Sequence, residues 1–305
     1  MNHVSVYHVD AFTREPFAGN PAGVIPEAGT LTLQQMQKIA NELNLPESAF
    51  LMPSDHPEAD FRIRYFSPSV EINFCGHATV GSAWLLATER GWLEKGSRIV
   101  FETNVGLIPV QLVMEDGQLQ RVEMTQIKPS VKEIDFDREE VARLVGITPA
   151  DLDDRYPMKL ASTGNMHLLV PVRTRQAIDA AQPLLSTLAE MNREHSITTT
   201  HLFTWDAQEG YDLYTRDFAP AIGIAEDPVT GAANGALAGY LALEERLPAG
   251  KVTQLVVGQG HAIGRPGKLY ITVDRSGEQP VIRVAGEAHL TIAGQICGLT
   301  QSRQK

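Results

Sequence analysis

The sequence has few cysteines and no long apolar run. Only two cysteines, Cys75 and Cys297, occur in 305 residues. Two are too few for the disulfide framework of a small secreted protein, so they favour a reducing compartment, which we expect to be the cytoplasm. No window approaches 18 uninterrupted apolar residues, so no membrane-spanning helix is expected. The first twenty residues have neither a basic start nor a continuous apolar run, and no signal peptide is expected.

Positive charge is also scarce. The chain carries 26 Lys and Arg against 37 Asp and Glu, a net charge of −11. An acidic surface repels phosphate backbones, and no cluster of Lys and Arg counteracts this locally. We therefore expect no nucleic-acid partner. A small acidic substrate remains compatible with this charge, because a pocket can be locally positive on an acidic protein.

Several common catalytic motifs are missing. The sequence contains no Walker-type phosphate loop and no Gly-x-Ser-x-Gly nucleophile elbow. The segment 258–264, GQGHAIG, resembles a dinucleotide-binding loop, but its last spacing is wrong and a strand follows it. Two histidine pairs, His3 with His8 and His195 with His201, have spacings that zinc sites use, but they lack paired cysteines. We interpret them as ordinary polar residues and expect neither a metal nor a cofactor.

Local patterns predict the first secondary-structure elements. Alternation predicts a strand at Val4–Val9, and the Gly and Pro residues of Asp10–Gly23 predict a loop. Thr32 followed by Gln35 forms a capping-box pattern that predicts a helix start. A run of small and apolar residues at Thr79–Arg90 predicts a second helix. The later chain repeats this order of strands, one small-residue helix and further strands, which indicates two similar halves.

Two polar helix openings stand out. The stretches FCGHATVGSAWLLAT (74–88) and EDPVTGAANGALAGYLAL (226–243) each place a glycine before a small-residue run. A helix start offers unpaired N–H groups and a partial positive charge, and glycine lets a ligand reach that backbone. Gly76 and Thr230–Gly231 are therefore candidate sites for an acidic substrate. The alternative is that these glycines serve close packing alone, but the presence of both motifs favours the anion site.

Three titratable residues lie near these openings in sequence. A helix start favours the neutral imidazole of His77 and the ionised carboxylate of Asp227, although either side chain could instead be a plain capping or core residue. Glu47 follows the helix stop at Pro46 and enters an apolar strand. Burial there would raise its pKa toward the range useful for a general base or acid. The alternative is a solvated surface glutamate, whose pKa would not be raised.

These motifs resemble the phenazine-biosynthesis PhzF-like family. The segments YHVDAFTREPFAGNPAGV, NLPESAFL, FCGHATVGSA, EDPVTGAANG and GQGHAIGRPG follow in the order and rough spacing of that family, from about Val4 to about Gly298. The resemblance implies an α+β, diaminopimelate-epimerase-like fold. Each of two pseudo-symmetric halves would wrap a curved, mostly antiparallel sheet around a central helix, with the active site between the halves. We expect one half at 1–117, completed by 289–305, and the other at 118–288.

The resemblance also implies a reaction and a set of site residues. It implies a cofactor-independent isomerase that moves a proton, with a double-bond shift, on a small carboxylic acid. Glu47 matches the family's proton-moving glutamate, and His77 and Asp227 match its supporting polar residues. A homodimer is implied as well. The positions expected to contact substrate are Asn20, Gly76, Thr230, Gly231 and Ala232.

Departures from the family pattern leave alternatives open. Ala232 stands where relatives often carry a serine, and Asn73 stands where a proline is common. The missing hydroxyl leaves the substrate undecided. A two-base racemase or epimerase of an amino or hydroxy acid is one alternative, with Asp227 paired to Glu47 or to Cys75. A non-enzymatic protein that binds acidic metabolites is another.

Overall fold

The computed structural model describes residues 2–207, 210–247 and 252–299. The chain divides into two compact units, one formed by residues 1–124 with 286–305 and the other by residues 125–285. The half boundaries expected from the sequence, 117/118 and 288/289, stay a prediction. Among the described residues, no helix has the length and apolar character needed to cross a membrane.

Strands outnumber α-helices in both units. The strands are β1 (Asn2–Ala11), β2 (Asn20–Ile25), β3 (Glu47–Met52), β4 (Phe61–Phe66), β5 (Glu71–Ile72), β6 (Arg98–Thr103), β7 (Gly106–Glu115), β8 (Gln118–Thr125), β9 (Ser130–Lys132), β10 (Lys159–Ser162), β11 (Met166–Pro171), β12 (Thr199–Thr204), β13 (Leu213–Ala219), β14 (Ile224–Asp227), β15 (Val252–Gln259), β16 (Gly267–Asp274), β17 (Val281–Gly286) and β18 (Ala288–Leu299). The helices are α1 (Leu33–Leu43), α2 (Gly76–Glu89), α3 (Arg138–Val145), α4 (Arg175–Ala180), α5 (Leu185–Glu194) and α6 (Gly231–Leu243).

The two units share one internal strand order. Unit 1 runs β18-β1-β2-β3-β4-β6-β7-β8, with the pairs β2–β3 and β4–β6 parallel and the others antiparallel. Unit 2 runs β9-β10-β11-β12-β13-β15-β16-β17, with β11–β12 and β13–β15 parallel at the matching places. In each unit a short strand, β5 or β14, pairs with the fifth strand and leads into the small-residue helix. The predicted α+β fold of two similar, mostly antiparallel halves is confirmed.

Each sheet wraps around one central helix. Helix α2 packs against β1, β2, β3, β7 and β18, and α6 packs against β9, β10, β11 and β16. Contact on several sides explains why both helices are buried nearly all round rather than along one stripe. Small residues permit the close approach. A Cβ on Gly81 would lie 3.3 Å from Val9 Cγ1, and one on Gly239 would lie 2.4 Å from Pro129 Cβ.

The approach at Gly239 predicts a stability effect. Gly239→Ala should lower the free energy of unfolding by about 1–2 kcal/mol, because the clash with Pro129 outweighs the helix-propensity gain of roughly 1 kcal/mol. Urea unfolding measures the difference. Gly76→Ala is the matched control, since its Cβ would meet only Met124 Cε, at 3.7 Å. Equal stability of Gly239→Ala and the parent would show that Gly239 is not needed for packing.

Two sequence expectations about element boundaries are wrong, and one is confirmed. Helix α2 begins at Gly76, as the opening motif indicates, and three residues before Thr79, where the helical run was expected to begin; the start carries no capping signal in its side chains. The expected loop Asp10–Gly23 contains the end of β1 and the beginning of β2. Pro21 fits in β2 because it pairs with β1 on one side and lies before the first residue paired with β3. The Thr32 capping box is present as predicted.

Candidate active site

Glu47 is a buried carboxyl at the start of a strand. Helix α1 ends at Asn44, which adopts the left-handed conformation, and β3 begins at Glu47, paired with Ala22 of β2. The side chain is 14% exposed. Burial raises its pKa from the ordinary 4.5 to about 7, and a hydrogen bond from the Cys75 thiol partly offsets this rise. Near neutral pH the group can therefore both take up and release a proton.

His77 holds a neutral imidazole against this carboxyl. The ring is 8% exposed, and its Nε2 lies 3.3 Å from Glu47 Oε2. Burial lowers the pKa of His77 to about 4, while a hydrogen bond to the Pro21 carbonyl acts in the opposite direction. Burial, rather than the helix dipole expected from the sequence, is thus the main cause of the shift. At neutral pH the imidazole is uncharged, so the contact is not an ion pair.

Cys75 completes an acid–base cluster with these two residues. Its Sγ lies 3.5 Å from Nδ1 and 3.8 Å from Nε2 of His77, and its thiol donates to Glu47. Sequence reasoning considered Cys75 as a racemase base and missed this arrangement. The i, i+2 spacing of Cys75 and His77 at a helix start is the signal that was available. We call Glu47, Cys75 and His77 the carboxyl cluster.

The start of α2 is fixed by buried hydroxyls. The Thr79 side chain donates to the Cys75 carbonyl at 2.6 Å, and the Tyr65 hydroxyl lies 2.6 Å from Thr79 Oγ1. Because the Thr79 hydroxyl donates its proton to the Cys75 carbonyl, the Tyr65 hydroxyl is the donor in its contact with Thr79 Oγ1. The Thr79 N–H makes the first helical bond, to the same carbonyl. This leaves the preceding N–H groups, including that of half-buried Gly76, without an acceptor inside the helix. Asn20, one residue before the Pro21 that orients His77, is fully buried in β2.

In unit 2, Asp227 ends β14 and Thr230 precedes α6. The Thr230 hydroxyl lies 2.5 Å from Asp227 Oδ2 and 3.1 Å from Asp217 Oδ2. One hydroxyl proton serves these two carboxyl groups, so the hydroxyl donates to one of them at a time. Thr230 is the N-cap residue of α6. The alternative interpretation of Asp227 as a plain N-cap is therefore wrong.

Gln259 organises this loop and was missed from the sequence. Its amide donates to the Asp227 carbonyl at 2.9 Å and to Thr230 Oγ1 at 3.1 Å. Its oxygen accepts from the Thr230 N–H at 3.1 Å and from the Asn234 amide at 2.7 Å. The next residue, Gly260, has φ +83°, and a Cβ there would lie 2.3 Å from the Arg265 carbonyl oxygen. The backbone of the glycine loop 258–264 thus positions Gln259.

A buried polar network lies behind Asp217. The carboxylate accepts from Thr199 Oγ1 at 2.7 Å and from His201 Nδ1 at 2.8 Å, and His167 Nδ1 lies 2.8 Å from Thr199 Oγ1. All four side chains are buried. His201 is therefore part of a hydrogen-bonded core network, whereas its expected zinc-spacing partner His195 is the C-cap of α5.

The start of α6 repeats the arrangement at α2. Its first helical bond runs from the Asn234 N–H to the Thr230 carbonyl, which leaves the N–H groups of Gly231 and Ala232 without an acceptor inside the helix. Both residues are half-buried. The Ala232 carbonyl accepts from Thr163 Oγ1 at 3.3 Å. In unit 1 the structure brings Glu47 and His77 together, and in unit 2 it brings Asp227 beside Thr230.

Comparison with known sequences gives a match over nearly the whole chain. The profile described as phenazine biosynthesis-like protein, PhzC-PhzF, matches residues 9–294. An uncharacterized isomerase of Clostridium acetobutylicum is 35% identical over 96% of this chain and 97% of its own length. A trans-2,3-dihydro-3-hydroxyanthranilate isomerase of Pseudomonas aeruginosa is 32% identical over 91% of this chain and 94% of its own length.

Comparison with solved structures supports the same grouping. The crystal structure of a PhzF-family phenazine biosynthesis protein from Bacillus anthracis matches with a TM-score of 0.90 and 32% identity, covering 97% of this chain and 99% of that one. A hydroxyproline epimerase from Agrobacterium vitis matches with a TM-score of 0.64 and 16% identity, covering 97% of this chain and 91% of that one. The second likeness is one of fold alone.

Proposed function

The chain belongs to the phenazine biosynthesis-like PhzC-PhzF family and is an isomerase, and we propose that Glu47 is the group that moves the proton. In this proposal the Glu47 carboxylate takes a proton from a weakly acidic C–H of a small carboxylic acid. The C–H electron pair shifts the double bond, and the new Glu47 carboxyl returns the proton to another carbon. The substrate gains and loses one proton, so the reaction needs no other reactant.

The observation that carries the proposal is the buried Glu47 carboxyl, whose pKa of about 7 lies near the operating pH. A general base works best when its pKa is close to that pH. Neutral His77 can accept a hydrogen bond from the protonated carboxyl and so orient it after proton uptake. We propose that Asp227 and Asn20 support the substrate, and that the helix starts bind its carboxylate through Gly76, Thr230, Gly231 and Ala232.

Proton exchange in deuterated water tests the reaction type. The first acid to use is trans-2,3-dihydro-3-hydroxyanthranilate, the compound in the name of the Pseudomonas relative. A double-bond shift incorporates deuterium and changes the ultraviolet spectrum. The same experiment tests the racemase alternative, for which the Cys75 thiol beside Glu47 is a candidate base. A racemase would exchange the α-hydrogen and lose optical activity without that spectral change. Binding of this acid without any exchange would contradict the proposed proton transfer on it.

Position 232 gives a prediction about substrate. Ala232→Ser should raise kcat/KM for the dihydro-hydroxyanthranilate acid by about tenfold, because one hydrogen bond to a charged group contributes roughly 1.5 kcal/mol or more. Steady-state kinetics on both proteins measure the change. Ala233→Ser is unsuitable as a control because Ala233 is fully buried, whereas exposed Ala225→Ser provides a neutral hydroxyl in the preceding strand, β14. Unchanged kinetics in Ala232→Ser would show that this acid does not reach residue 232.

We also propose a homodimer in the cytoplasm. The family resemblance supports the dimer, and the two free cysteines, one of them exposed, suit a reducing compartment. Light scattering after size exclusion should give twice the chain mass of 33.4 kDa. A monomer at micromolar concentration would contradict the dimer. Recovery of the protein outside the cytoplasmic fraction of its cells would contradict the location.

A further inference from the structure

We propose that the carboxyl cluster binds Zn²⁺, or a similar thiophilic divalent cation, and that the bound cation inhibits proton transfer. The cluster offers one carboxylate oxygen, one sulfur and one imidazole nitrogen, all within 4.8 Å of one another. The binding half of the proposal stands on this geometry alone. The inhibition half rests on the proposed role of Glu47.

Two of the donor distances lie near those of a zinc tetrahedron. Bonds of about 2.0–2.1 Å to nitrogen or oxygen and about 2.3 Å to sulfur, at tetrahedral angles, separate N from O by about 3.3 Å and N from S by about 3.6 Å. From His77 Nε2, the structure places Glu47 Oε2 at 3.3 Å and Cys75 Sγ at 3.8 Å. Sγ also lies 3.5 Å from Nδ1, beside the ring and not along the Nε2 lone pair, so the Cys75 side chain must turn before a cation can bind all three atoms.

The donor set and its surroundings also suit zinc. Thiolate, imidazole and carboxylate are the ligand types that zinc takes in proteins, and three protein ligands with one open position is the arrangement of its catalytic sites. A zinc-bound histidine usually donates its other ring N–H to a backbone carbonyl or a carboxylate. His77 already donates to the Pro21 carbonyl. The imidazole is thus oriented before any cation arrives.

Cation binding and proton transfer need the same lone pair. Glu47 Oε2 is the oxygen nearest His77 Nε2, and a cation held between them takes the electron pair that would accept the substrate proton. The thiol of Cys75 must lose its proton on binding, which also removes its hydrogen bond to Glu47. Zinc should therefore act as a reversible inhibitor that competes with the acidic substrate.

The binding half is tested with metal alone. Co²⁺ added to the full chain should bind one per chain and give a thiolate-to-cobalt absorption band, and Zn²⁺ should displace it. Cys75→Ser should lose the band and weaken Zn²⁺ binding at least about tenfold, since loss of an outer-shell partner alone costs 10–100-fold. Cys297→Ser, the other free cysteine, is the control and should keep both signals. Thermal unfolding checks that each variant is folded.

Two results would overturn the binding half. One is a band that survives in Cys75→Ser and disappears in Cys297→Ser. The other is parent protein that gives no thiolate band at millimolar Co²⁺. His77→Gln provides a second variant with the thiol intact, and it should keep a weaker band at lower affinity.

The inhibition half is measured separately. Zn²⁺ should abolish turnover in the parent, EDTA should restore it, and Cys75→Ser should need at least about tenfold more Zn²⁺ for the same inhibition. Turnover that persists with cobalt-displacing Zn²⁺ bound would overturn inhibition while leaving the site in place. Full activity of Glu47→Gln would instead refute the proposed function without touching the cobalt result.

Discussion

Replacing Glu47 with glutamine should slow substrate proton exchange by about 10²–10⁴-fold, the range expected for loss of a general acid–base group. The amide keeps the size and hydrogen-bonding reach of the carboxyl but can neither take nor return the proton. Deuterium incorporation from solvent measures the rate directly. Glu42→Gln, an exposed change in α1, is the matched control and should leave the rate unchanged.

The pH dependence of the parent follows from the same group. Only the carboxylate form of Glu47 accepts a proton, so kcat/KM should rise with pH and level off above the pKa of about 7. His77, with a pKa near 4, stays neutral over this range and adds no second inflection. A profile that stays flat from pH 5 to 9, or an undiminished rate in Glu47→Gln, would contradict the assignment of Glu47 as the base.

Glu47→Gln, which should lower the exchange rate, should raise the stability of the protein at neutral and higher pH. The Glu47 pKa is about 7 in the folded chain and 4.5 ordinarily, so the folded state holds a proton that the unfolded state releases between these values. The stability from this proton is fully present below pH 4.5 and is lost as the pH rises through 7. The loss amounts to roughly 3 kcal/mol. Glu47→Gln avoids it because the amide stays neutral.

Urea unfolding of both proteins at several pH values measures this effect. The variant should match the parent near pH 4 and exceed it by roughly 3 kcal/mol at pH 8. His77 has a lowered pKa, so its own contribution is lost as the pH falls through 4. That contribution is common to both proteins and cancels in the difference. If the difference in unfolding free energy between the two proteins did not change with pH, burial would not disfavour the charged form of Glu47.

The fold was largely predictable because its signals are local. The capping box at Thr32 and the small-residue runs after Gly76 and Gly231 depend on neighbours within a few positions. The repeat of strands around one helix follows from the same patterns. The first residues of β2 were missed because a turn at Gly19 and a proline at position 21 give the composition of a loop, while pairing to β1 makes it a strand.

The candidate site was predictable only in part, because its contacts join distant positions. Glu47 and His77 were selected by residue type and by resemblance, and the structure places them 3.3 Å apart. The Gln259 amide and the Asp217 carboxylate reach Thr230 from strands 29 and 13 residues away in sequence. No spacing rule indicates such pairs. Their roles became visible only when the sheet order fixed which side chains face the start of α6.

The most direct test of the account is the pKa of the Glu47 side chain in the folded protein. Carbon-13 labelling of glutamate, with the resonance assigned by its absence in Glu47→Gln, allows the carboxyl to be titrated by NMR. The account predicts a midpoint of about 7. A midpoint near the ordinary value of 4.5 would place the carboxyl in contact with water and would contradict its role as the proton-moving group.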